Sequence, residues 1–339
     1  MKNDNKKSLL FLKEQVLYVG KHIFRLAISV VLWYNGNRDI CKVMVIHMFK
    51  TIKPFIKWVG GKRQLLDVIR KKYPAKIEKY CEPFVGGGAV LLDVLANFHL
   101  KEVLINDINP ELINTYIQIR DNAEEVISLL ENMQSDFWVM DTDERKVYYY
   151  SKRNRFNELI ISKADTVEKA ALFIFLNKTC FNGLYRVNAK GLHNVPMGSY
   201  KKPCICDTEN ICLISDLLEG VQIQCGDYSK CDEFIDSNTF VYIDPPYRPL
   251  TVTSSFTSYA KTEFGDKEQL ELGHFIESIS KKGAKFVASN SDPKNADEND
   301  NFFDDIYSMF VINRVQATRV INSKATGRGA INELLICNY

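Results

Sequence analysis

The chain has 339 residues, 46% of them hydrophobic, and a formal net charge of +2. These values fit one or two folded globular domains, and the overall charge argues nothing for nucleic acid. The nine cysteines are odd in number and follow no recognisable secretory signal, so reduced thiols in a cytoplasm fit better than a disulfide framework.

Residues 1–47 mix lysines with apolar residues, and the uncharged run from Leu26 to Gly36, between Arg25 and Arg38, is too short to span a bilayer. No small-residue cleavage site follows it, so a signal anchor fits poorly. We expect residues 1–52 to be an N-terminal extension outside the core, with the compact stretch opening at Met48. From Pro54 onward strands alternate with helices. Lys79–Phe84 and Glu102–Asn106 read as short buried strands flanking a helix, a βαβ unit. Pro110 to Lys178 is mainly helical. Strand patterns return at Val221–Cys225, Thr239–Ile243, Lys285–Ser289, Tyr307–Ile312 and Leu334–Asn338, with a helix near Lys267–Ser280. The pattern predicts an α/β fold in a discontinuous domain, 53–109 and 207–339, interrupted by a mainly helical insert over 110–206. Charge is unevenly placed: 11 Lys/Arg against 3 Asp/Glu through Lys57, and 12 against 3 from Arg145 to Pro203. Such stretches can track phosphates, although alone they describe only a solvated face. Cys204, Cys206 and Cys212 lack a fourth ligand and the paired spacing of a zinc site, so no metal is expected.

Glu82-Pro83-Phe84-Val85-Gly86-Gly87-Gly88-Ala89-Val90 follows the first strand of the unit and opens a helix. Its glycines let backbone approach a ligand, and the helix start offers unpaired N–H groups. Asp107, at the end of the next strand, has the spacing of an acidic residue that accepts from ribose hydroxyls. Neither the full GxGxxG nor a Lys-Ser/Thr phosphate grip is present, which favours S-adenosylmethionine over NAD or ATP. Asp244-Pro245-Pro246-Tyr247 follows the apolar strand Phe240–Ile243, where open α/β sheets hold ligands. The Asp244 carboxylate and the Pro245 carbonyl can accept the two hydrogens of an amino group, and Tyr247 offers a stacking face. A target amine inside a duplex requires the base to be turned out first.

These motifs, with Phe55-Ile56-Lys57-Trp58-Val59-Gly60-Gly61-Lys62, Asn106-Asp107, Phe181-Asn182-Gly183-Leu184-Tyr185-Arg186-Val187-Asn188, Asn194-Val195-Pro196-Met197-Gly198 and Ser289-Asn290-Ser291, resemble the Dam-type DNA adenine methyltransferases, the adenine-N6-specific D12 class. The likeness runs from about Pro54 to Tyr339. It implies a Rossmann-like S-adenosylmethionine-dependent core with an inserted DNA-recognition domain. Trp58, Lys62, Phe84 and Gly86, Gly87 and Gly88 would border the cofactor, Asp107 would hold its ribose, and Asp227 would lie near its adenine, with Asp244 between cofactor and target. The resemblance further implies that Phe181 wedges beside bases, Arg186 reads a guanine, Leu184 and Pro196 meet a thymine methyl, and Lys57 reaches the first guanine. Asn182, Asn188 and Tyr200 complete that DNA set, and the contacts spell GATC in double-stranded DNA. Ser199 stands where relatives often place arginine, and His193 where an aromatic is usual. The family is of bacterial or phage type, without membrane attachment, and leaves open a cognate restriction endonuclease at the same site. Rival readings are methylation of adenine in RNA or of a protein glutamine amide, against which Asp244 rather than Asn argues, and a catalytically silent DNA-binding regulator.

Overall fold

The computed structural model describes residues 10–11, 28–34, 40–47, 52–248, 264–318 and 330–339, and the chain divides into two compact units, Met1–Ile52 and Lys53–Tyr339. The first unit holds three antiparallel strands, β1 (Leu10–Phe11), β2 (Ile28–Tyr34) and β3 (Ile40–His47), with Val30 opposite Val45. The apolar run read as part of a leader thus contains a strand: Ile28-Ser29-Val30-Val31-Leu32-Trp33-Tyr34 is rich in β-branched and aromatic residues, which suit a pleated surface. The expected opening at Met48 lies outside the described residues.

The second unit is built on a seven-stranded sheet in the order β6-β5-β4-β7-β8-β10-β9. Its strands are β4 (Lys79–Glu82), β5 (Glu102–Asp107), β6 (Gln222–Cys225), β7 (Thr239–Ile243), β8 (Lys285–Ser291), β9 (Val311–Thr318) and β10 (Ala330–Cys337). β6, β5, β4, β7 and β8 pair in parallel, while β10 runs antiparallel to both β8 and β9. All five residues of β7 are buried, the continuous apolar pattern of a parallel strand covered on both faces. From β4 the chain winds outward through β5 and β6, then returns to β7 on the other side of β4. The order therefore reverses between β4 and β7, and the crevice at their carboxyl ends is where such sheets bind ligands. This α/β layout agrees with the Rossmann-like expectation.

The strand expected at Tyr307–Ile312 starts later than the pattern, and β10 starts earlier, at Ala330 rather than Leu334. Residues 302–306 form the helix α9 (Phe302–Ile306), a turn continues to Phe310, and β9 begins only at Val311. The apolar residues of 307–312 alternate imperfectly; Tyr307 and Phe310 lie three apart, and Phe310 N–H bonds Tyr307 O at 2.9 Å. Their rings pack with Phe303 and Phe286, a contact that a turn satisfies and an extended strand does not.

Helices α1 (Leu66–Arg70) and α2 (Ala89–Asn97) flank β4 in sequence, and five helices lie between β5 and β6: α3 (Pro110–Asp121), α4 (Ala123–Val139), α5 (Thr142–Ile161), α6 (Val167–Thr179) and α7 (Thr208–Leu217). Asn109 caps α3 by accepting from Glu111 N and Leu112 N, with Pro110 pre-set at the first helical position. Asp141 and Glu144 form a capping box on α5. α6 is buried all round from Ala170 to Leu176 because α3, α4 and α5 surround it. α3 also contacts β5 and β6, which fixes this helical cluster to the sheet. On the sheet's other side α8 (Asp266–Lys281) buries Leu272, Ile276 and Ile279 against Val241, Ile243 and Phe286. Each such side chain contributes about 1.5–3 kcal/mol on removal from water.

Candidate active site

The loop after β4 is shaped by its glycines. Gly88 has φ +71°, and a Cβ there would collide with the Tyr116 hydroxyl, which itself donates to Gly86 O at 3.0 Å. Trp58 lies directly over Gly86 and Gly87, and stacks at 5.9 Å on Tyr185 from the helical region. Asn106, buried on β5, ties three strand ends together: its Nδ2 donates to Pro83 O at 3.0 Å and Gly226 O at 2.9 Å. Asp107 accepts one backbone N–H on each oxygen, from Gly86 at 3.0 Å and Asn109 at 3.0 Å. Burial raises its carboxyl pKa against those two bonds. Phe84 packs on Tyr228 at 5.3 Å and Phe264 at 6.1 Å. Asp227 is exposed and accepts from Ser229 N at 3.0 Å, starting the short turn Tyr228–Cys231.

Across the crevice, Asp244 Oδ1 receives two contacts, Lys62 Nζ at 2.7 Å and Ser289 Oγ at 2.9 Å. Lys62 is 4% exposed, also donates to Gly60 O at 2.6 Å, and stands 4.7 Å above the Tyr247 ring. Lys62, expected beside the cofactor, thus contacts the Asp244-Pro245-Pro246-Tyr247 motif. Pro245 is buried and Pro246 exposed. The Pro246 carbonyl accepts from Gln269 Nε2 at 2.9 Å, and Gln269 Oε1 accepts from Asn290 at 3.1 Å. Tyr247 donates its hydroxyl to Glu333 Oε2 on β10 at 2.8 Å. Burial, with Asp244 and Glu333 nearby, holds that phenol well above its ordinary pKa. Glu82 is fully buried; burial pushes its carboxyl well above the usual range, against the hydrogen bond from Tyr80 at 2.7 Å, and Asp244 and Asp107 add to the rise. Sequence reasoning gave no role to Gln269, Glu333, Tyr80 or Asn106. No local motif signals the first three, whereas Asn106 stands in a quoted motif as a neighbour of Asp107.

The third group surrounds the turn after α6. Phe181 is 53% exposed, and Asn182 beside it has φ +56°. Lys57 reaches Tyr200, its Nζ 3.4 Å from the hydroxyl and 4.9 Å from the ring centre. Arg186 is exposed and donates Nε–H to Asn194 Oδ1 at 2.8 Å, which holds its guanidinium along the Val187–His193 bridge. Asn188 Oδ1 accepts from Lys190 N at 2.9 Å and Leu192 N at 3.1 Å, so its side chain shapes the turn. Pro196 is exposed, Leu184 half-buried, and the Pro196 carbonyl accepts from Phe181 N at 2.9 Å. Ser199 is exposed. His193 is buried between Phe156 and Tyr185, its backbone bonded through Asn157, and burial with Arg153 and Arg186 nearby lowers its pKa to about 3.

Among the described residues no group of His, Cys, Asp or Glu could hold a metal ion, and no helix is long and apolar enough to cross a membrane. The family model described as D12 class N6 adenine-specific DNA methyltransferase matches residues 58–321. The chain is 46% identical to the type II methyltransferase M.MjaIII of Methanocaldococcus jannaschii, over 85% of this chain and 99% of that one. It is 39% identical to the type II methyltransferase M1.LlaDCHI of Lactococcus lactis subsp. cremoris, over 85% and 96%. With the DNA adenine methylase of Haemophilus influenzae it shares 35% identity, over 84% and 92%. A reversal of strand order flanked by a glycine loop and an Asp-Pro-Pro-Tyr turn, together with these likenesses across most of its length, establishes that the chain belongs to the D12 class of N6 adenine-specific DNA methyltransferases.

Proposed function

We propose that this chain methylates the N6 amino group of adenine at GATC in duplex DNA, using S-adenosylmethionine, on a base turned out of the helix. The observation that carries the reading is the single-sided grip on Asp244: Lys62 and Ser289 both contact Oδ1, and no described contact engages Oδ2. Oδ2 accepts one hydrogen of the target amine and the Pro245 carbonyl accepts the other. The nitrogen lone pair is thereby drawn out of conjugation with the ring. Tyr247, its hydroxyl held by Glu333, supplies the stacking face. As N6 forms its new bond to carbon it loses one proton, for which Asp244 Oδ2 is the acceptor.

S-adenosylmethionine supplies, when bound, an electrophilic methyl group on a sulfonium. The residues present fit such a molecule. Asp107 and Asp244 stand at the ends of β5 and β7, and the buried ammonium of Lys62 is committed to Asp244, so the crevice favours a cationic ligand without phosphates. In this reading Asp107 keeps acceptor capacity for ribose hydroxyls, Trp58, Phe84 and the glycines border the nucleoside, and Asp227 faces its adenine. Residues 53–109 and 207–339 carry the chemistry, while 110–206 read the DNA, α3 joining them to the sheet. Lys57, Phe181, Asn182, Leu184, Arg186, Asn188, Pro196 and Tyr200 form the DNA set. Two relatives bear type II names, which supports a companion endonuclease cutting the same sequence without contact to this chain.

Base flipping is tested with a GATC duplex carrying 2-aminopurine in place of the target adenine. Enzyme with cofactor analogue should raise its fluorescence strongly, while the same probe one base away should stay dim. Equal, small changes at both positions contradict the mechanism.

A further inference from the structure

The segment from Lys53 to Lys62 has no strand partner among the described residues, yet its backbone is held at two points by asparagine side chains. Asn210 on α7 accepts from Lys53 N at 3.1 Å and donates to Lys53 O at 2.9 Å. Asn177 in the last turn of α6 does the same to Lys57: Oδ1 accepts from Lys57 N at 2.8 Å and Nδ2 donates to Lys57 O at 2.8 Å. Asn177 alone adds a third bond, from Nδ2 to Gly183 O at 2.9 Å. Both Nδ2 hydrogens are thus used, one on each segment, in a side chain that is 4% exposed. Gly183 has φ +67°, and a Cβ there would press on Lys57 Cδ at 2.6 Å, so the two segments touch without room for a side chain between them.

What these segments carry makes the clasp more than a fold contact. The Gly183 turn bears Phe181 on one side and leads to Arg186 on the other. Five residues beyond Lys57 stands Lys62, whose Nζ grips Asp244 Oδ1 at 2.7 Å. We infer that Asn177 is a positioning residue that couples the seating of the recognition turn on DNA to the placement of Asp244, so that the methyl-transfer rate, beyond DNA affinity, depends on the sequence bound. The proposal rests on the reading of the turn after α6 as a DNA-contacting segment. A turn seated on the cognate site holds the Gly183 carbonyl in register, the shared amide holds the Lys57 backbone, and the short segment that follows holds Lys62 against Asp244. A turn displaced by a wrong base pair pulls on the same amide. Such a device gains specificity through an induced fit of the catalytic group.

Asn177→Asp is nearly isosteric: it keeps the acceptor for Lys57 N but points a second acceptor at two carbonyls. Asn210→Asp makes the equivalent change at the end of the segment that does not touch the turn. Single-turnover methylation would be followed with saturating enzyme on a GATC duplex and on duplexes changed at one base pair outside the adenine, with far-ultraviolet circular dichroism and cofactor titration of each variant giving the folded, competent fraction. Asn177→Asp should lower the cognate rate constant by about tenfold or more while leaving the altered sites within about threefold, collapsing the ratio between them. Asn210→Asp should lower every rate constant by a common factor and preserve the ratio. A uniform fall in Asn177→Asp, or an unchanged ratio, overturns the coupling. Arg186→Ala measured alongside separates the two ideas: if it leaves discrimination at the final base pair intact while Asn177→Asp collapses the ratio, the base assignment is wrong and the clasp stands. If Arg186→Ala relaxes discrimination and Asn177→Asp does not, the clasp is wrong and the base assignment stands.

Discussion

Among the described residues, Asp244 is held by a buried lysine and a serine that share one of its oxygens. Replacing it with alanine removes the acceptor for the amine and should lower methyl transfer by about 10²-fold or more. Binding of S-adenosylmethionine, followed by calorimetry, should remain; near-normal turnover would contradict the assignment. Arg186, exposed and bonded to Asn194, should when changed to alanine lose about 1–3 kcal/mol of discrimination at the final base pair. Rates on GATC and on sites altered there, at one salt concentration, measure this; equal loss at all sites with a shallower salt slope would make Arg186 a phosphate anchor. His193 carries a pH consequence. Its pKa falls from an ordinary 6.5 to about 3 in the folded chain, so below pH 6.5 the unfolded state binds a proton that the folded state refuses. Stability is therefore lost as pH falls through that window, at up to about 1.4 kcal/mol per pH unit. His193→Phe should lose less stability than the parent between pH 7 and pH 5 in urea denaturation, and parallel losses would contradict this. Asp107 and Asp244 were legible because each sits in a contiguous motif after an apolar strand. Asn177 and Glu333 were not, because they act on partners 120 and 86 residues away through contacts that leave no local pattern.

The glycine loop between β4 and α2 shows how an element enforces its own residue choice. Gly88 needs a left-handed backbone and the space occupied by the Tyr116 hydroxyl. Gly88→Ala should therefore destabilise the chain by at least about 1–2 kcal/mol from the backbone alone. Displacing Tyr116 from Gly86 should also weaken cofactor binding. Denaturant midpoints with and without cofactor measure both effects, and an unchanged midpoint would show that the loop tolerates a side chain. Elements with one unambiguous period were legible: β7 is a continuous apolar run, and α8 places Leu272, Ile276 and Ile279 on one face. Where two periods overlap the pattern misled. Tyr307 to Ile312 reads as extended, yet Tyr307 and Phe310 share the face of a turn. Within the N-terminal extension no strand is read from the sequence, yet Ile28–Tyr34 pairs with Ile40–His47.

At the scale of the whole molecule, the reversal of strand order between β4 and β7 brings together motifs about 160 residues apart in the chain, and the helical region between β5 and β6 reaches back to them through Trp58, Lys57 and Asn177. The order of motifs along the chain made this architecture legible, whereas the clasp that joins the two functions became visible only with the side chains in place. Residues 1–52 form a compact unit of their own. Removing residues 1–47 should leave the melting temperature of the remainder and its methylation rate unchanged; aggregation or loss of DNA binding would show that this unit belongs to the working structure. Adenine methylation at GATC can be read directly by expressing this chain in a host without adenine methylation and sequencing its genomic DNA by single-molecule kinetics, beside the Asp244→Ala variant. N6-methyladenine is expected at the adenine of GATC on both strands, and none in the variant. Unmodified DNA with the parent chain, or methylated adenine concentrated in another sequence, would contradict the proposed function.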